Sequence, residues 1–259
     1  MRPIFVIGDV HGQIEKLRAL LRGAGLTGPD DAWSGGDSHL WFVGDLTDRG
    51  EDGIGAIDLI RRLQREAPEA GGAVDSLLGN HDMLIVAVAH FAGLDPTAAA
   101  IFLADWEANG GVTSDLARLT EDRISWLMAR PAMARDDNAL LVHADTTYYL
   151  QWGDSVAAVN RTVSDVLHRG DARRWARLFS QLCDRGAFSG PDEDASVDAF
   201  LDQFGGEMVI YGHTPISKIT GQPPEQVREP LISAHGRAVN VDGGMYRGGP
   251  GFVYRVPGE

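Results

Sequence analysis

The first apolar run, Ile4-Phe5-Val6-Ile7 within residues 3–10, lacks helical spacing and predicts a buried strand. From Gln13 to Arg22 the apolar residues recur at Ile14, Leu17 and Leu21, the period of an amphipathic helix, which Gly23 and Gly25 close. A second strand is expected from His39 to Asp45, then a helix from Gly53 to Arg65 stopped by Pro68, then a short strand from Val74 to Leu78. Met83 to Phe91, apolar but for His90, is long enough to be a buried helix rather than a strand. Such βαβαβα alternation implies a largely parallel sheet with helices on its faces. Ligands then collect beyond the carboxyl ends of the strands.

From Asp95 to Arg130 the pattern is helical, clearest at Thr113 to Leu119 and Asp122 to Met128, before Ala139-Leu140-Leu141-Val142 gives a strand ending at His143. Residues 153–204 carry further helices interrupted at Ser189-Gly190-Pro191, read as a helical excursion over one face of the sheet. The tail changes character. Met208 to Tyr211, Leu231 to Ala234, Ala238 to Val241 and Phe252 to Val256 are short strands parted by Gly-rich turns, which predicts antiparallel pairing in a second sheet packed on the first. Gly221 to Pro230 reads as an exposed loop. No repeat or linker divides the chain, so an α/β fold in a single domain over residues 1–259 is expected.

Composition narrows the partners. The chain has 259 residues, 44% of them hydrophobic, enough for a full core, and a formal net charge of −14. That charge argues against nucleic acid, whose binding draws on clustered Lys and Arg. It does not forbid a phosphate group at a metal centre, where bound cations dominate the local field. No apolar run is long enough for a membrane span, and Met1-Arg2-Pro3 leads straight into a strand without the regions of a signal peptide, so a cytoplasmic protein with no membrane partner is expected. The single cysteine, Cys183, forms no internal disulfide and reads as a small buried residue on a helix.

The chemistry lies in four polar clusters at the ends of apolar runs: Gly8-Asp9-Val10-His11-Gly12, Gly44-Asp45-Leu46-Thr47-Asp48-Arg49-Gly50, Gly79-Asn80-His81-Asp82 and Tyr211-Gly212-His213-Thr214-Pro215. Asp9 and His11, two apart on extended chain, face the same side, and the flanking glycines allow tight turns. His143 adds another imidazole at a strand end. Each residue singly fits a turn or a core position. Together they form the ligand inventory of a two-metal phosphoesterase, which must balance two divalent charges with carboxylates and keep one ligand that bridges both ions.

This order of motifs resembles the calcineurin-like metallophosphoesterases, in particular their phosphoprotein phosphatase branch with its bacterial and phage members. Asn240-Val241-Asp242-Gly243-Gly244 through Tyr254 also looks like that family's final strands. Two departures stand out: Asp82 where the family usually has Glu, and His143-Ala144-Asp145 where it usually has His-Gly-Gly or His-Ala-Gly. The resemblance implies a two-sheet β-sandwich flanked by helices. It implies Asp9, His11 and Asp45 as ligands of one metal, with Asp45 bridging to a second that Asn80, His143 and His213 complete. This mixed set suits Mn²⁺ first, with Fe or Zn²⁺ as alternatives, better than an all-oxygen Ca²⁺ site.

The resemblance also implies a metal-bridging hydroxide as nucleophile, Arg49 and Asn80 at the substrate phosphate, and His81 as general acid with Asp48 holding its ring and favouring the imidazolium. Arg185, in Asp184-Arg185-Gly186, is the candidate second phosphate clamp, with Arg247 or Arg161 in reserve. Tyr246 is expected as a packed loop residue rather than a cleft wall. The implied function is a phosphomonoesterase on phosphoprotein Ser/Thr or a similar small phosphate ester. The alternative is a symmetrical diadenosine tetraphosphate hydrolase, a branch that typically carries Gln at the position of His11.

Overall fold

A computed structural model describes residues 2–258 of the protein. The strands are β1 (Ile4–Ile7), β2 (His39–Phe42), β3 (Ala73–Ser76), β4 (Met133–Asp136), β5 (Ala139–Val142), β6 (Met208–Tyr211), β7 (Leu231–Ser233), β8 (Ala238–Asn240) and β9 (Tyr254–Arg255). The helices are α1 (Ile14–Gly23), α2 (Gly53–Glu66), α3 (Asn80–Ala92), α4 (Pro96–Ala108), α5 (Thr113–Arg118), α6 (Glu121–Met128), α7 (Tyr149–Trp152), α8 (Val156–Arg169), α9 (Ala172–Leu182), α10 (Glu193–Phe204) and α11 (Ile216–Thr220).

Two sheets form the sandwich, ordered β3-β2-β1-β9 and β4-β5-β6-β8-β7. Alternation along each strand divides its side chains between two cores. Ile4, Val6, Trp41, Val43, Leu141, Ile210 and Val239 meet between the sheets. Ile7, Leu40, Phe42, Leu140, Val142, Val209 and Tyr211 turn outward onto the helices. Both faces are therefore covered, and this is why the strands read as unbroken apolar runs.

The expected antiparallel tail needs correction. β5, β6 and β8 run parallel, and only the edge strands β4 and β7 are antiparallel to their neighbours. β9 leaves the second sheet altogether and pairs antiparallel with β1. A local pattern cannot reveal this, because α11 and the turns after it carry the chain back across the sheet. β4 was not expected: its apolar Met133-Ala134 gives way to Arg135-Asp136, so no alternation is visible. The parallel strands have a chemical consequence, since β1, β2, β3, β5, β6 and β8 all discharge toward one edge of the sandwich.

At the opposite edge, buried His39 opens β2 between two carboxylates, with Nε2 at 2.9 Å from Asp75 Oδ2 and Nδ1 at 2.5 Å from Asp136 Oδ2. Burial would depress the His39 pKa, but the hydrogen bonds to Asp136 and Asp75 outweigh it and hold it above the usual value. Burial likewise opposes ionisation of Asp136, yet bonds from His39 and Trp41 bring it down to about 2. A raised histidine stabilises fully below its unfolded pKa of about 6.5, and the contribution disappears as pH rises through the folded value. A depressed aspartate stabilises above about 3.9, and loses its contribution as pH falls through about 2. His39→Gln should therefore lower the melting temperature most near pH 5–6 and much less above pH 8, a trend that thermal denaturation across pH measures. An equal loss at every pH would show that the ring acts by packing alone.

Candidate metal centre

The turns after β1, β2 and β3 are built so that polar side chains converge. Gly79 lies so close to the second turn that a Cβ there would sit 2.1 Å from Asp45 N and Oδ1, and Gly44, at φ +105°, approaches Gly79 from the other side. His11, Asp45, Asp48, Arg49 and His213 all have positive φ, an uncommon state for residues with side chains. Such strain is kept where the surroundings over-determine it.

Two clusters result, sharing Asp45: His11, Asp45 and His81 on one side, and Asp45, His143 and His213 on the other, all buried. Asp45 Oδ2 lies 3.6 Å from His11 Nε2, and its Oδ1 lies 3.4 Å from His143 Nε2. Asp9 Oδ2 stands 3.8 Å from His11 Nε2, and Asn80 Oδ1 lies 3.0 Å from His143 Nε2. Backbone carbonyls orient the rings: His11 Nδ1 donates to Thr47 O and His143 Nδ1 to Val43 O, both at 2.9 Å, while His213 Nε2 donates to Cys183 O at 3.2 Å. Carbonyl-oriented imidazoles of this kind are typical of metal ligands.

Electrostatics points the same way. Burial holds Asp9 well above the usual carboxylate range, with Asp242 and Asp45 adding to it, and does the same to Asp45 with Asp82 adding. Burial also keeps the imidazoles neutral: His11 is held far below its ordinary value with help from His81 and Arg49, and His143 is brought to about 3. Asp242 Oδ2 is buried without a hydrogen-bond partner among the described residues. Crowded carboxylates, neutral imidazoles and an orphan carboxylate oxygen fit divalent cations and little else.

Around these clusters sit the remaining candidates. His81 Nδ1 meets Asp48 Oδ2 at 2.9 Å, and Arg49 reaches His11 Nε2 at 2.8 Å and His81 Nε2 at 2.6 Å. Burial and the Arg49 guanidinium hold His81 well below its usual value, and burial pushes Asp48 up to about 8. Arg185 is exposed in the loop between α9 and α10, near enough that its charge helps depress His143 and His213. Arg161 instead lies on an outer groove of α8 beside Asn160 and Ser164.

Two expectations change. Tyr246 is a cleft wall, its ring 4.3 Å from the Arg49 guanidinium and edge-on to His11 at 4.8 Å. Cys183 is half-buried just beyond the end of α9, where its Sγ accepts from Asn80 Nδ2 at 3.5 Å. Three further residues were missed as contributors. Asp82 braces the turns by accepting from Leu46 N, Thr47 N and Gly79 N. Asp145 ties Thr214 Oγ1 to Gly186 N beside Arg185. Trp106 donates from Nε1 to Asp48 Oδ1 at 2.7 Å. The departures at Asp82 and Asp145 marked two of these positions; Trp106 carried no sequence signal.

The family model described as calcineurin-like phosphoesterase matches residues 2–217. Shewanella-like protein phosphatase 2 of Arabidopsis thaliana is 38% identical over 81 residues, 31% of this chain and 21% of that protein. A symmetrical bis(5'-nucleosyl)-tetraphosphatase of Pectobacterium carotovorum is 31% identical over 204 residues, 79% of this chain and 56% of that one. The chain thus spans about a fifth and just over half of the length of these two relatives. Among solved structures, a cold-active protein-tyrosine phosphatase of a psychrophilic Shewanella species shares the fold with a TM-score of 0.73 at 19% identity, over 98% of this chain and 75% of that one. Among the described residues no helix is long and apolar enough to cross a membrane.

Asp82→Ala strands buried backbone N–H groups in both turns. It should lower unfolding free energy by roughly 2–4 kcal/mol, read by urea denaturation. A loss below about 0.5 kcal/mol, the scale of a neutral surface change, would remove the bracing role.

Proposed function

The chain belongs to the calcineurin-like phosphoesterase family, a family of metal-dependent phosphatases, and from that premise we propose that it is a dinuclear phosphomonoesterase acting on phosphoserine or phosphothreonine in proteins. Asp45 carries the reading: its two carboxylate oxygens face different imidazoles, at 3.6 Å and 3.4 Å, as a bridging ligand requires. Asp9, His11 and Asp45 would hold one ion; Asp45, Asn80, His143 and His213 would hold the other. The donor set favours Mn²⁺, with Fe or Zn²⁺ as the alternatives, over a hard ion that keeps its water.

When bound, the two ions supply Lewis-acid polarisation of the ester and a water of lowered pKa. The chain's own groups do the rest. Arg49 exchanges its contacts with His11 and His81 for the oxygens of the substrate phosphate, and Arg185 grips the same group from the opposite wall. Asn80 stands beside that phosphate. Once the guanidinium has turned away, His81 takes a proton from solvent at Nε2 while its Nδ1–H stays bonded to Asp48, and Nε2 delivers that proton to the leaving alkoxide. Guanidinium clamps favour a terminal phosphate with free oxygens. His11, where the tetraphosphatase branch carries Gln, supports a monoester over diadenosine tetraphosphate, while the 204-residue similarity to a symmetrical tetraphosphatase keeps that substrate as the second reading.

A panel of phosphoserine peptide, phosphotyrosine peptide, aryl phosphate, diadenosine tetraphosphate and bis-aryl phosphodiester separates these readings, with phosphoserine peptide expected to give the highest kcat/KM. Chelation should abolish turnover, and Mn²⁺ should restore it at least as well as Mg²⁺. Asp45→Asn should lose both ions in elemental analysis; full metal content and activity in this variant would end the dinuclear reading. His81→Asn should lower kcat on alkyl phosphates by roughly 10²–10⁴ with metal content intact. Arg185→Ala should weaken inorganic phosphate inhibition by about 1.5–3 kcal/mol, and unchanged inhibition would make Arg185 a surface residue.

A further inference from the structure

Helices α3 and α4 form a hairpin across the short turn at residues 93–95, and this returns the far end of α4 to the first turn of α3, where His81 stands. Phe91 stacks on Phe102 with ring centroids 5.3 Å apart, locking the pair together. At that returning end, Trp106 is fully buried and its Nε1–H reaches Asp48 Oδ1 at 2.7 Å. The other Asp48 oxygen meets His81 Nδ1 at 2.9 Å. One turn later, Gly110 O accepts from Arg49 N at 2.8 Å. Asp48 and Arg49 are consecutive non-glycine residues at φ +69° and +65°, a conformation that persists only when its neighbours hold it. The end of α4 supplies both restraints, one on a side chain and one on the backbone.

A buried tryptophan satisfied by any carbonyl would merely fill the core. Here its donor is spent on the one carboxylate that holds the candidate general acid. We propose that Trp106 is a positioning residue, whose indole N–H fixes the Asp48 carboxylate and through it the His81 ring in the orientation that delivers a proton to the leaving alkoxide. This rests on the reading of His81 as general acid.

The test compares Trp106→Phe, His81→Asn and the double variant on two substrates of unequal leaving group: phosphoserine, which departs as an alkoxide, and p-nitrophenyl phosphate, which needs little protonation. Trp106→Phe keeps an aromatic ring and removes the donor. It should lower kcat on phosphoserine by about 10–100-fold, the scale of losing an orienting partner, while p-nitrophenyl phosphate loses less than about threefold and KM and metal content hold. The double variant should be no slower than His81→Asn, since both act through one proton transfer.

Equal losses on both substrates, a double variant slowed by the product of the single effects, or unchanged kinetics would each overturn the proposal. If His81→Asn itself fails to discriminate between the substrates, the general-acid reading has fallen and the proposal falls with it. If His81→Asn discriminates and Trp106→Phe does not, only the positioning role is lost. Should Trp106→Phe fail to fold, the benzothienyl isostere of tryptophan at position 106 keeps the ring shape, removes only the N–H and must give the same pattern.

Discussion

The structure is organised around a concentration of buried carboxylates whose ionisation burial and mutual repulsion oppose. Asp9, Asp45, Asp82 and Asp242 crowd the ends of parallel strands, and burial with mutual repulsion holds Asp9 and Asp45 far from their ordinary ionisation. The imidazoles between them offer no countercharge, because the same burial keeps them neutral. A site of this kind stores electrostatic free energy that divalent cations release. Metal binding and the integrity of this edge of the sandwich are therefore one problem, and Asp82, with its carboxylate spent on backbone donors, belongs to the solution as much as the ligands do.

Backbone strain is the second cost of convergence. Several site residues occupy left-handed conformations that a regular strand or helix would not allow. Three are pinned from outside their own turns: His11 N by Asp45 O, His213 N by the Asp9 carboxylate and Arg49 N by Gly110 O. The pins cross between elements distant in sequence, so the geometry of the centre is a property of the packed sandwich rather than of any single loop.

Charge is distributed to match. The chain is strongly acidic overall, yet Arg49, Arg185 and Arg247 stand at or near the cleft, and Tyr246 carries the guanidinium of Arg49 on its face. Guanidinium groups thus gather beside the carboxylates of the centre in an otherwise acidic chain.

The sequence by itself determined the polar clusters and their order at the strand ends, because glycines must flank the tight turns that bring such side chains together. It also determined the alternation that makes β1, β2 and β3 a parallel sheet, since each strand is followed by a helix of readable period. Only the tertiary structure decided which way the tail strands run, that β9 closes the first sheet, that Tyr246 faces the cleft and that Trp106 reaches Asp48. Those outcomes depend on pairing and packing between segments that lie outside each other's local sequence window, or on the return of one helix beside another. A local pattern of apolar and polar positions carries the period of an element, and it is blind to the partner that element will find.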